Sequence, residues 1–407
     1  MYQSGQSAAL AVDAAVVTLP EAPSSTRPAS LKYNPRLDTL RALAAIAVLA
    51  FHYSGWFGWG WVGVPFFFVL SGYLITSLLL ESKARSAGFG AYCAGFFRRR
   101  ALRLVPVYAL FIAGCLAYRA KTSHLSALPS DLPYLLTYTF NFHGFDHIDR
   151  PYGHLWSLSV EWQFYLLWPV AVWFLSEANL RRVLLAIVCV TPLLRLMSVQ
   201  WFQLHDYSFG ESAQFTYIMT WTHFDSLALG ALLAWRPARE FASSKRVILV
   251  AAAMVFAAGL MVSGLEWYRG YAGRRAELVD FGYPITLSHF REYVWGYSLL
   301  DLLFATVVAA ACSSNSLSGI FRWKWLTYLG KVSYGFYLFH YPVILMTAGL
   351  LGGVTPLFGD SVLSAAWEKL TPSLGFVLSA GLTFLAAHFS YQLWERRFLK
   401  LIPRSSH

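Results

Sequence analysis

Residues 36–56 read RLDTLRALAAIAVLAFHYSGW. A bilayer core takes about 20 apolar residues in a helix. This run is long enough, yet it holds Arg41 and His52. His52 lies eleven positions after Arg41, close to three helical turns, so both side chains fall on nearly one face, roughly 16 Å apart along the axis. A charge and an imidazole in a membrane-spanning segment are costly and mark function by default. An interfacial histidine beside Trp56, Trp59 and Trp61 is the plainer alternative.

Outward from this segment the pattern repeats. Ten apolar runs of spanning length lie near 37–57, 61–81, 102–119, 155–175, 182–200, 214–235, 247–264, 294–312, 326–349 and 373–393. The first two form a tight hairpin through GWFGWGWVG, in which glycines permit the turn and tryptophans mark the headgroup level. Of 407 residues, 57% are hydrophobic and only 13% charged, with a mean hydropathy of +0.48. These values exclude a soluble globular domain and predict an all-α polytopic membrane protein of about ten transmembrane helices. The net charge of +11 does not point to nucleic acid, because the basic residues fall in short clusters between apolar runs. With both termini in the cytoplasm, 22 of the 32 Lys and Arg residues lie on the cytoplasmic side, as the positive-inside rule requires. Residues 1–33 read as a flexible cytoplasmic tail, 34–395 as the membrane domain and 396–407 as a basic cytoplasmic tail. Cys93, Cys115, Cys189 and Cys312 form no CxxC pair, so neither a disulfide nor a metal site is expected. Two long outer loops, about 121–154 and 265–293, carry His124, His143, Asp146, His147, Asp149 and His154, then Glu266, Glu277, Asp280 and His289. They are placed to cover a site on the outer face.

Four segments carry polar residues suited to chemistry. FFRRRALRLVPVY (96–108) places Arg99, Arg100 and Arg103 at helical spacing. This is either a positive-inside anchor or a polyphosphate site, since guanidinium forks match phosphate oxygens. Coenzyme A, with a 3′-phosphate and a pyrophosphate, suits such a cluster. HLWSLSVEWQFYLLWPV (154–170) sets Glu161 in an apolar run, one turn after Ser157 and one turn before Tyr165. A carboxylate at that depth needs a partner; it orients a histidine, binds sugar hydroxyls or pairs with an arginine. THFDSLALGALLAW (222–235) carries Asp225, followed by small residues suited to helix packing. KVSYGFYLFHYPV (331–343) carries Tyr337 and His340, with Pro342 set to kink the helix or open its backbone. For Asp225 and His340 a structural role competes evenly with a functional one. No GxSxG elbow, HExxH, Walker loop or HxxxxD pair is present.

Together the stretches RLDTLRALAAIAVLAFHYS, PFFFVLSGYLIT, FFRRRALRLVPVY, HLWSLSVEWQFYLLWPV, FDSLALGALLA and LGKVSYGFYLFHYP resemble, in order, the acyltransferase-3 family of integral membrane O-acyltransferases. The resemblance covers residues 36 to about 345. It implies acyl transfer from acyl-CoA to a hydroxyl of a sugar or sugar-bearing molecule. The family's essential Arg and His of the first helix fall on Arg41 and His52, its RxxR motif on Arg100 and Arg103, and its fourth-helix glutamate on Glu161. Many members read SVEEQFY where this chain reads SVEWQFY, so Trp162 replaces the second acid and the resemblance does not carry over a paired carboxylate there. No polar domain follows the tenth run, so the stand-alone form without an SGNH esterase-like domain is expected.

The expected activity is acyl-CoA-dependent O-acyl transfer at the inner (plasma) membrane. No bound cofactor or metal is expected; acyl-CoA, acetyl-CoA above all, is the co-substrate. The acceptor is a surface polysaccharide, exopolysaccharide or macrolide-like glycosylated molecule. His52 and Glu161 are the candidate catalytic residues. Arg41, Arg99, Arg100 and Arg103 are the candidate donor-binding residues, with Asp38, Asp225, Tyr337 and His340 in support. A secondary transporter or flippase for a sugar-containing substrate, or a scaffold without catalysis, are the alternatives.

Overall fold

The computed structural model describes residues 33–54, 57–121, 126–143, 150–269, 282–283, 291–313, 323–354 and 362–402. Among them every regular element is helical. The order is α1 (Pro35–Ser54), α2 (Gly63–Arg85), α3 (Phe89–Lys121), α4 (Leu128–Leu136), α5 (Phe140–His143), α6 (Trp156–Phe174), α7 (Glu177–Leu204), α8 (Phe209–Ile218), α9 (Phe224–Leu232), α10 (Arg236–Ala242), α11 (Lys245–Tyr268), α12 (Glu292–Cys312), α13 (Lys324–Lys331), α14 (Ser333–Val354), α15 (Val362–Ser390) and α16 (Arg396–Leu399). Trp56, the N-terminal tail before Tyr33 and several polar outer-loop residues (His124, Asp146, His147, Asp149, Glu277, Asp280 and His289) lie outside the described residues.

Each of the ten apolar runs contains helix. Seven helices among the described residues are long and apolar enough to cross a membrane: α2, α3, α7, α11, α12, α14 and α15. The other runs fall on α1, on α6 and on the pair α8–α9, which carry Arg41 and His52, Glu161, and Asp225. The run at 214–235 is not one helix. It breaks after Ile218, passes through a 3₁₀ turn at Thr220–His223 and resumes as α9. The Thr222 hydroxyl donates to the carbonyls of Thr216 (2.8 Å) and Met219 (2.7 Å), which satisfies backbone freed by the break. The described residues therefore form an all-α bundle, and the chain is a multi-pass membrane protein.

Helix α2 lies at the centre. Its most apolar stretch is 72% buried, against 22% for α11, whose Leu249, Phe256 and Leu260 face outward. In lipid an outward leucine needs no protein cover, so such helices form the rim. Helices α2 and α9 approach each other closely. A Cβ on Gly72 would sit 2.1 Å from the Leu227 carbonyl oxygen, and one on Gly230 would sit 1.9 Å from that of Val69. Only glycine allows these backbones to touch, as the small-residue run after Asp225 predicts. The segment 126–143 folds back onto the bundle. Asp131, buried at its centre, accepts hydrogen bonds from Arg150 and from the Tyr152 hydroxyl, and His143 stacks on Tyr134 beside it at 3.8 Å.

Candidate active site

Helices α1, α2, α3, α6 and α14 enclose a cavity of roughly 670 Å³ including its mouth. Arg41 of α1 and Arg100 and Arg103 of α3 line it, with Glu161 of α6 and Ser157 and Tyr337 deeper in. A second, wider cavity opens beside it and shares Arg41, Arg100 and Arg103, adding Asp38, Lys331 and Glu395. Four cations thus border the two adjoining cavities. None of Arg41, Arg100, Arg103 and Lys331 forms an ion pair among the described residues. The Arg100 guanidinium instead lies over the rings of Phe96 (5.8 Å) and Tyr165 (5.5 Å), its buried Nε without a hydrogen-bond partner. Lys331 lies over Tyr33 at 5.4 Å, and the Tyr33 hydroxyl donates to Asp38 at 2.9 Å. Arg99 points away: its Nη2 donates to Ser82 Oγ of α2 at 3.2 Å, and it lines neither cavity.

Glu161 Oε1 accepts hydrogen bonds from Ser71 Oγ and Tyr165 Oη. It stands on the cavity wall among the arginines and makes no hydrogen bond to His52 among the described residues. Trp162, beside it in sequence, stacks on Tyr138 at 4.7 Å.

His52 lies beyond the cavity in a group of three imidazoles. His340 Nε2 is 3.3 Å from His52 Nδ1, and the His340 ring is 4.8 Å from that of His154. Each ring is anchored by a backbone carbonyl. His52 Nδ1 lies 2.9 Å from the Val48 oxygen, and His340 Nδ1 contacts the Tyr337 oxygen. His154 Nε2 lies 3.2 Å from the Leu338 oxygen. That last carbonyl has a specific origin. Pro342 lacks the N–H that would bond Leu338 four residues earlier, and the His154 ring supplies the missing donor. Pro342 does not end α14; it opens one carbonyl, and His154 occupies it. The His154 Nδ1 is buried with no partner. Tyr337 links cavity and histidines: its hydroxyl contacts Ser157 Oγ at 2.6 Å and donates to the His154 carbonyl at 3.1 Å, and its ring is 5.3 Å from His340.

His154 belongs to this group although the sequence places it with the outer loops. Its signal is spacing, seven residues and two helical turns before Glu161. Asp225 does not join the group. It forms a fully buried pair with Arg195 at 2.5 Å and accepts from Ser298 Oγ at 2.5 Å. Arg195 also donates to the Thr222 carbonyl (2.8 Å), the Val294 carbonyl (3.2 Å) and Ser298 Oγ (2.9 Å). This network ties α7, α9 and α12 together.

The family model described as "Acyltransferase domain" matches residues 34–399. The peptidoglycan O-acetyltransferase OatA of Listeria monocytogenes is 31% identical over 371 residues, covering 85% of this chain and 55% of the relative. The O-acetyltransferase OatA of Staphylococcus aureus is 29% identical over 383 residues, covering 90% of this chain and 57% of the relative. The chain spans little more than half the length of these relatives. No solved structure matches it. With motifs in order along the sequence, their arginines gathered at one cavity and a family match over nearly the whole chain, this protein belongs to the acyltransferase-3 family.

Proposed function

We propose that the chain is a plasma-membrane O-acetyltransferase that takes its acetyl group from acetyl-CoA and passes it to a carbohydrate hydroxyl. One observation carries this reading: Arg41, Arg100 and Arg103 line one cavity and form no ion pair among the described residues, and Arg41 shares its helix with His52. Unpaired guanidinium groups in a membrane bundle call for a polyanionic ligand. The 3′-phosphate and pyrophosphate of CoA supply it. The chain spans the membrane ten times with both termini inside, so this cavity opens to the cytoplasm, where the donor resides. The pantetheine arm extends up the bundle past Tyr337 towards the histidines. The names of the relatives point to peptidoglycan or a similar glycan as the acceptor class.

A sugar hydroxyl is a poor nucleophile and requires a positioned base. His52 Nε2 takes the proton as the hydroxyl oxygen attacks the thioester carbonyl. The tetrahedral intermediate collapses, the C–S bond breaks, and the sulfur leaves with the proton returned from His52. An ester and CoA-SH result. Glu161, held by Ser71 and Tyr165, sets the charge balance among the arginines.

The test is acceptor-dependent release of CoA by the purified full chain. His52→Ala removes few packing atoms from a partly buried site and keeps donor binding. Turnover falls by about a hundred- to ten-thousand-fold. Near-normal turnover contradicts the assignment. Reporter fusions near residues 140 and 280 behave as external; a cytoplasmic signal from either overturns the topology.

A further inference from the structure

The three imidazoles contain more than a single base. A backbone carbonyl accepts hydrogen bonds and never donates one. His52 Nδ1, 2.9 Å from the Val48 oxygen, therefore carries its proton. His340 Nδ1, on the Tyr337 oxygen, carries its own. The nitrogen His340 turns to His52 is thus a lone pair, and the 3.3 Å contact runs from His52 Nδ1–H to His340 Nε2. The His52 proton is shared between a carbonyl of its own helix and an imidazole of α14. Its remaining nitrogen, Nε2, holds the free lone pair.

We propose that His340 is a positioning residue for His52: it fixes the ring in the tautomer whose Nε2 is basic and supports the imidazolium that forms when the acceptor proton arrives. This rests on the acetyltransferase reading above. The contact becomes charge-assisted once His52 is protonated, and such bonds are roughly twice as strong as neutral ones. An acid usually fills this place beside a catalytic imidazole. An ionised carboxylate in the membrane interior is costly, whereas a neutral imidazole supplies the acceptor without a buried charge. The ring is packed on several sides. His340 is 1% exposed. The His154 ring packs on one side at 4.8 Å, held by the carbonyl that Pro342 opens. Tyr341 packs against His52 at 5.1 Å.

Two variants separate positioning from packing. His340→Gln keeps an acceptor oxygen near the place of Nε2; His340→Phe keeps the ring and removes the acceptor. The expected result is a kcat about ten- to a hundredfold lower for His340→Phe, as for a lost bond to a charged group, with donor KM unchanged. His340→Gln restores most of the loss. A purely packing role gives the reverse order, with Phe active and Gln impaired, and overturns the proposal. A second measurement needs neither variant nor turnover. Solid-state NMR of the full chain labelled with ¹⁵N-histidine, with the His52 signals assigned by their loss in His52→Ala, reads which ring nitrogen bears hydrogen. A protonated Nδ1 with a bare Nε2 supports the assignment, and a protonated Nε2 overturns it. If wild-type protein transfers no acetyl group, the acetyltransferase reading fails while the NMR result still decides the tautomer.

Discussion

Arg195 and the arginines of the cavity are the same side chain in two settings. Arg195 is 0% exposed, and Nε, Nη1 and Nη2 all donate to acceptors on α9, α12 and the turn before α9. Arg41, Arg100 and Arg103 border open space, and among the described residues none forms an ion pair, although Glu161 lines the same cavity. Where the fold supplies every acceptor, the arginine holds helices together. Where the guanidinium groups face a cavity without a close ion pair, we propose that a ligand supplies the acceptors. A guanidinium in a membrane thus declares its role by the completeness of its partners.

Removing Arg195 gives the largest effect on stability. Arg195→Ala leaves Asp225, with Asp301 buried nearby on the Ser226 hydroxyl at 2.6 Å, without a cation. Breaking a buried pair costs about 3–5 kcal/mol, so the variant loses its sharp melting transition and monodisperse elution. Arg195→Lys does not restore them, because one ammonium cannot serve the same four acceptors. An Arg195→Ala protein that melts and elutes like wild type would show that this network does not hold α7, α9 and α12 together.

Arg41→Ala does the opposite. It relieves crowding among like charges, so melting is unchanged or slightly higher. Donor KM rises by about ten- to a hundredfold for one lost charge-assisted contact. Lower stability with unchanged KM would move Arg41 into the class of Arg195. Arg236 gives the smallest effect. Its pair with Glu240 spans 2.7 Å with both side chains more than 60% exposed, and such pairs contribute about 0–1 kcal/mol. Arg236→Ala leaves both melting and donor affinity near wild type; a large change in either would show that exposure does not grade these arginines.

Much of this was legible in the sequence. The apolar runs locate the helices because a bilayer demands unbroken hydrophobic length. Arg41, Arg100, Arg103 and Glu161 meet at one cavity, as their common family motifs imply. What the sequence hides is tertiary. The break between α8 and α9 falls in a run of spanning length, and no proline or glycine marks Met219. The pairing of Asp225 with Arg195 joins residues 30 positions apart on different helices. Arg99 shares a helical face with Arg103 by spacing, yet Ser82 captures it. His154 reads as a loop residue because the carbonyl that receives it belongs to α14 and is opened by Pro342.

The central claim is that the unpaired arginines hold the phosphates of the donor. Calorimetric titration of CoA, which carries the phosphates and no acyl group, into the purified full chain tests it directly. The expected result is binding to wild type that weakens as salt is added, and an affinity at least about tenfold lower in the double variant Arg100→Ala, Arg103→Ala, whose melting is unchanged. Equal affinity in the two proteins would contradict the claim and reduce the cluster to a topology anchor.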